Sequence, residues 1–162
     1  MQVFLIRHAD AVAETLALGD PHRHLTPHGR AQARALGDRL RWHDCEPTHI
    51  WSSPLVRAIQ TAELVASGVH SALPIESLPA LAPEEPAKRV LGALAAIDPA
   101  SIVLLVGHEP GISAVGALLT GDPAFRGLAK AEAARIADGA LRWRFSWDAD
   151  APVIAAREGA RP

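Results

Sequence analysis

The chain predicts a three-layer α/β fold: a mostly parallel central sheet with helices on both faces and an antiparallel hairpin near its C-terminal end. Three observations predict it. Val3-Phe4-Leu5-Ile6 and Ile102-Val103-Leu104-Leu105-Val106 are unbroken apolar runs, the pattern of strands covered on both faces. Between them lie segments whose apolar residues recur at helical spacing. Near the end, Asp138-Gly139 precedes the alternating Leu141-Arg142-Trp143-Arg144-Phe145, a hairpin signal.

Taken in order, the first strand gives way to Ala11–His24, rich in small and polar residues and carrying Gly19-Asp20-Pro21, which reads as a loop over the strand ends. Thr26-Pro27 then starts a helix, threonine as N-cap and proline at the first helical position, with Ala33, Leu36 and Leu40 on its buried face and its end near Trp42. Ser53-Pro54 repeats that start signal. Leu55, Ala58, Ile59, Ala62, Val65 and Ala66 line one face of the helix, which stops at Gly68. Prolines break the chain between Ser71 and Pro86, leaving a short strand within Pro74–Leu78 before a helix bearing Val90, Leu91, Leu94 and Ile97. The strand 102–106 and a helix over Gly111–Leu119 follow. Leu128–Ala137 has the alanines, lysine and glutamate of a helix, but its place before Asp138-Gly139 favours the first arm of the hairpin.

At 162 residues the chain predicts one domain, residues 1–162, long enough to bury a substantial core. A net charge of −2 excludes neither an anionic ligand nor a protein partner. With no basic block or zinc-finger spacing, nucleic acid is not an expected partner. No apolar stretch approaches the roughly 20 residues of a membrane helix, and Met1-Gln2 leads straight into a strand, so neither membrane insertion nor a signal peptide is expected and a cytoplasmic location is. Cys45 is the single cysteine; flanked by Asp44 and Glu46, which raise a thiol pKa, it is not a nucleophile candidate. His22, His24 and His28 lack the spacing of a helical ligand pair, so no metal site is expected.

Chemistry concentrates where strands end. Arg7-His8 follows the first strand, Ser52-Ser53-Pro54 with Arg57 follows the strand ending Ile50-Trp51, and Gly107-His108 follows the strongest strand. Each residue alone has an ordinary reading, a solvated arginine or a satisfied histidine. Together, at the carboxyl ends of neighbouring parallel strands, they converge on one crevice. Planar guanidinium forks suit phosphoryl oxygens, and a neutral imidazole attacks phosphorus without a metal or separate base. Of the two histidines, His8 is the better nucleophile, because a backbone carbonyl beside it can fix its tautomer. His108, following flexible Gly107, would donate to a phosphoryl oxygen as charge develops. Asp10 either orients this pocket or faces solvent.

These residues resemble a known family. The Arg7-His8 pair, Leu25-Thr26-Pro27-His28-Gly29 with Gln32-Ala33, Ser52-Ser53-Pro54-Leu55-Val56-Arg57-Ala58 with Gln60-Thr61-Ala62, and Val106-Gly107-His108 are together similar to the histidine phosphatase superfamily. They span about three-quarters of the chain in the family's order. The short length without a lid insertion resembles the SixA-type phosphohistidine phosphatases. The resemblance implies a phosphoglycerate mutase-like fold, phosphorylation of His8, a phosphate pocket of Arg7, Arg57 and His108, and no cofactor. It also implies that Arg23 borders the pocket and contacts substrate.

The chain departs from that pattern at two points. Ala9 stands where the family usually has glycine, so the loop there must avoid angles that only glycine tolerates. Ester-cleaving members use a carboxylate in the segment that reads Leu81-Ala82-Pro83-Glu84-Glu85 here, whereas SixA-type members generally lack an obvious one. Glu84 is the candidate general acid; its alternative is a solvated glutamate in a first helical turn.

The expected activity is hydrolysis of protein phosphohistidine through a covalent phosphohistidine on His8. Imidazole leaves phosphorus more readily than an alkoxide, so a site without an assured acid suits a phosphoramidate, and a lidless pocket admits a protein-borne group. The alternatives are a phosphomonoesterase acting on a small metabolite such as a sugar phosphate or nucleotide, and a phosphate-binding module without turnover.

Overall fold

A computed structural model describes residues 1–155. Its strands are β1 (Gln2–Arg7), β2 (His49–Ser52), β3 (Ile75–Ser77), β4 (Ile102–Gly107), β5 (Glu132–Ala137), β6 (Ala140–Ser146) and β7 (Val153–Ile154); its helices are α1 (Pro27–Leu40), α2 (Val56–Gly68), α3 (Lys88–Ala95) and α4 (Gly111–Thr120). The strands form one sheet in the order β3-β2-β4-β1-β5-β6-β7. β3, β2, β4 and β1 run parallel, and β5, β6 and β7 are antiparallel.

Alternation along β1 builds the layers. Phe4 and Ile6 join the core beneath α1 and α2 with Leu36, Leu40, Ala62 and Val65, while Val3 and Leu5 face Val90, Leu94, Ile112 and Val115 of α3 and α4. Two close approaches set how α1 sits. A Cβ on Gly68 would lie 2.6 Å from the Gly37 backbone, so this pair lets α1 and α2 touch along their backbones. A Cβ on Gly29 would lie 1.9 Å from the Asp10 carbonyl oxygen, so only glycine lets the α1 N-terminus press against the loop that follows His8. Thr26 caps α1 as its sequence predicts, its Oγ1 accepting from the Gly29 N–H at 2.9 Å with Pro27 next in line.

The Asp138-Gly139 turn, with φ of 53° and 70°, joins β5 to β6 in the predicted hairpin, which settles Leu128–Ala137 as loop and strand. Some boundaries differ from the sequence reading. α1 ends at Leu40, and Trp42 lies exposed in the turn beyond. α2 begins at Val56 with Leu55 at its N-cap, and the Ser53 hydroxyl faces His108. α3 starts at Lys88, so Glu84 belongs to the preceding turn rather than to a first helical turn. Among the described residues no helix is long and apolar enough to cross a membrane.

Candidate active site

β4 lies between β1 and β2, in register with both, and its position assembles the site. Arg7 pairs with Gly107, and Ser52 with Val106, so the segments Arg7-His8, Ser53 to Arg57 and His108 leave the sheet side by side. The His8 N–H donates to the Gly107 carbonyl at 3.0 Å, continuing the β1–β4 ladder past the strand end. The His8 and His108 ring centroids are 5.0 Å apart.

His8 Nδ1 lies 2.7 Å from the Ala9 carbonyl oxygen. A carbonyl only accepts, so Nδ1 carries the proton and Nε2 keeps its lone pair. Burial lowers the His8 pKa to about 4 against the lift of that hydrogen bond, with the charges of Arg57, Arg7 and Lys130 adding to the fall. The ring is therefore neutral at pH 7. Ala9 is not among the non-glycine residues with positive φ, so alanine sits there without backbone strain. Its N–H donates to Thr61 Oγ1 at 3.1 Å, and that hydroxyl donates to the Arg57 carbonyl at 2.7 Å, which couples the His8 loop to α2.

His108 is also buried, and burial lowers its pKa to about 3, helped by His8 and Arg57. Its Nε2 lies 2.8 Å from Ser53 Oγ, and its Nδ1 is buried without a partner.

The two strand-end arginines are held alike. Arg7 Nη1 donates to the Leu128 carbonyl at 3.0 Å, while Leu128 N–H donates to Glu109 Oε1 at 2.7 Å. Arg57, buried in the first turn of α2, donates from Nη1 to the Asp20 carbonyl at 2.8 Å and from Nη2 to Asp20 Oδ2 at 3.1 Å. The Nε of each is buried and unpartnered. Among the described residues, Arg7 Nε, Arg57 Nε and His108 Nδ1 are the buried side-chain polar atoms without a hydrogen bond.

Arg23 joins from the loop 11–25, whose ends are pinched by an antiparallel bridge between Ala11 and Leu25. It donates from Nη1 to Asp20 Oδ1 at 2.8 Å and from Nε to the Val12 carbonyl at 2.7 Å. Asp10 has two partners rather than solvent alone. It accepts from Thr26 Oγ1 at 2.9 Å and from Lys130 Nζ at 2.6 Å, and the lysine bond is the main cause of its lowered pKa. Glu84 stands apart, exposed at φ 68° with no side-chain hydrogen bond, whereas Glu85 borders the cleft lined by His108, Leu81 and Ile112 while pairing with Arg89.

The sequence reading missed Asp20, Ser53, Thr61 and Lys130 as members of this site. Asp20 lay inside a turn signal and Ser53 inside a helix-start signal, each already explained by a local role. Lys130 reaches Asp10 from 120 positions away, for which no local pattern exists. His22, His24 and His28 do not gather: no cluster of three metal-ligating side chains occurs among the described residues. Cys45 is inert for another reason than the one its neighbours suggested, since burial pushes its thiol up to about 12 while Arg135 pulls it down.

An α/β sheet whose strand ends gather two arginines with buried Nε atoms and two neutral imidazoles defines a phosphoryl-handling hydrolase. The chain belongs to the histidine phosphatase superfamily (branch 1), whose family model matches residues 3–83. It is 33% identical over 110 residues to the phosphohistidine phosphatase SixA of Escherichia coli (strain K12), covering 67% of each chain. Its fold is similar to the solved structure of the protein histidine phosphatase SixA complexed with tungstate, at a TM-score of 0.83 and 27% identity over 91% of this chain and 97% of that one. The alpha-ribazole phosphatase from Shigella flexneri shares the fold at a TM-score of 0.68 and 21% identity, over 87% of this chain and 93% of that one. The protein is a phosphatase of the SixA type.

Proposed function

We propose that this single-domain phosphatase removes the phosphoryl group from phosphohistidine carried on a protein, through a covalent intermediate on His8. His8 Nε2 attacks phosphorus, the substrate's P–N bond breaks, and the departing imidazole takes a proton from solvent. Water then attacks the phosphorylated His8, the P–Nε2 bond breaks, and phosphate leaves. Arg7, Arg57 and His108 bind the phosphoryl oxygens throughout, and Arg23 contacts the substrate at the rim.

One observation carries the reading: three buried nitrogens, the donors Arg7 Nε and Arg57 Nε and the His108 Nδ1 that donates when Ser53 donates to Nε2, stand unpartnered around a neutral His8. Buried donors are ordinarily satisfied, so three on one site call for an acceptor with several oxygens. The tungstate bound to the solved SixA relative is an oxyanion of that kind. The leaving group supports the phosphoramidate, because Glu84, the candidate acid, is exposed in a turn and makes no contact with this constellation.

A second reading, a phosphomonoesterase of small metabolites, draws on Glu85, which borders the cleft beside His108 and could serve a departing alkoxide. Side-by-side kcat/KM for a phosphohistidine protein and a panel of small phosphate esters separates the two. The proposal expects the phosphohistidine protein to be preferred; a hundredfold preference for any ester would replace it with the second reading.

A further inference from the structure

Both terminal nitrogens of Arg57 are turned onto one residue. Nη1 donates to the Asp20 carbonyl and Nη2 to its carboxylate Oδ2, while the other carboxylate oxygen takes Arg23 Nη1. A guanidinium has an end-on edge, Nη1 with Nη2, and a side-on edge, Nε with Nη2, and either can grip an oxyanion with two parallel bonds. On Arg57 the end-on edge is taken by Asp20, and the unpartnered Nε belongs to the side-on edge. Arg7 is divided in a similar way, with Nη1 on the Leu128 carbonyl and Nε unpartnered.

Asp20 therefore stands in an unusual relation to the pocket. By charge alone a carboxylate beside an anion site opposes the anion, and its removal would tighten binding. By geometry it fixes the rotamer of the arginine that must meet that anion, and it ties the loop arginine to the same point. Arg57 is nearly fully buried, where a wrongly aimed guanidinium leaves several donors unsatisfied, so geometry outweighs the partly screened charge of a carboxylate whose side chain is 37% exposed.

We infer that Asp20 is a positioning residue, which locks the end-on edge of Arg57, joins Arg23 to it, and so leaves the side-on edges of Arg57 and Arg7 to hold one phosphoryl group. This rests on the phosphoryl-site reading above.

The test is calorimetric binding of inorganic phosphate to the wild type, Asp20→Ala and Asp20→Asn, with aryl phosphate kinetics alongside. Phosphate affinity should fall about tenfold in Asp20→Ala, a usual coupling between contacting residues, with KM rising more than kcat falls. Asp20→Asn, which keeps one acceptor oxygen, should fall between that variant and the wild type. Wild-type protein that binds phosphate, beside an Asp20→Ala variant that binds it equally or more tightly, overturns the inference and leaves the site reading standing. A wild type that binds no phosphate overturns the site reading itself.

Discussion

Ser53 Oγ lies 2.8 Å from His108 Nε2, and the Leu55 N–H approaches the same hydroxyl at 3.4 Å. With the amide donating to Oγ, the hydroxyl hydrogen is free to point at Nε2, and in that arrangement the imidazole proton sits on Nδ1. That nitrogen is the buried donor left without a partner. Under the proposed function, the serine thereby sets which ring nitrogen of His108 is left to meet a phosphoryl oxygen.

Replacing Ser53 by alanine leaves Nε2 buried and unsatisfied and frees the tautomer. The expected cost is about 1–3 kcal/mol of stability, the usual penalty for an orphaned buried polar group, with kcat/KM down by roughly tenfold or more. Denaturant unfolding and aryl phosphate kinetics measure both. Wild-type values in both would mean that Ser53 does not set His108.

The two histidines also predict how the protein responds to acid. Burial lowers both, to about 4 for His8 and about 3 for His108, while an unfolded histidine titrates near 6.5. Below that pH the unfolded chain takes up protons that the native one refuses. Their contribution to stability is therefore complete above about pH 6.5 and is lost progressively as pH falls toward the native values. NMR titration should find both rings neutral at pH 5, with His8 in the Nδ1–H tautomer; midpoints near 6.5 would contradict the buried, neutral pair.

Glu84→Gln should lower phosphohistidine hydrolysis by less than about tenfold, under roughly 1.4 kcal/mol of barrier, because an exposed turn residue has no route to the reacting atoms. Glu85→Gln should do no more to phosphohistidine. On a phosphate ester it should cost more than Glu84→Gln does, since Glu85 borders the cleft beside His108. A hundredfold loss on phosphohistidine in either variant, with folding unchanged, would replace the acid-free mechanism.

What the sequence made legible was what local pattern encodes. Apolar runs ending in Arg7-His8 and Gly107-His108 located the strands and the ends where the candidate site gathers, and Asp138-Gly139 located the hairpin. Thr26-Pro27 marked a true cap, whereas the similar signal at Ser53-Pro54 did not: α2 starts three residues further on, and the Ser53 hydroxyl faces His108. β7, two residues pairing with β6, is too short to carry a period. The Asp20 clamp and the Lys130–Asp10 pair join segments distant in sequence, and only the fold reveals them.

Rapid quench with a radiolabelled phosphohistidine protein traps the intermediate proposed on His8. A base-stable, acid-labile label should form on His8 of the wild type, with neither label nor turnover in a folded His8→Ala variant. Turnover that persists in His8→Ala, or label on any other residue, would contradict the covalent mechanism.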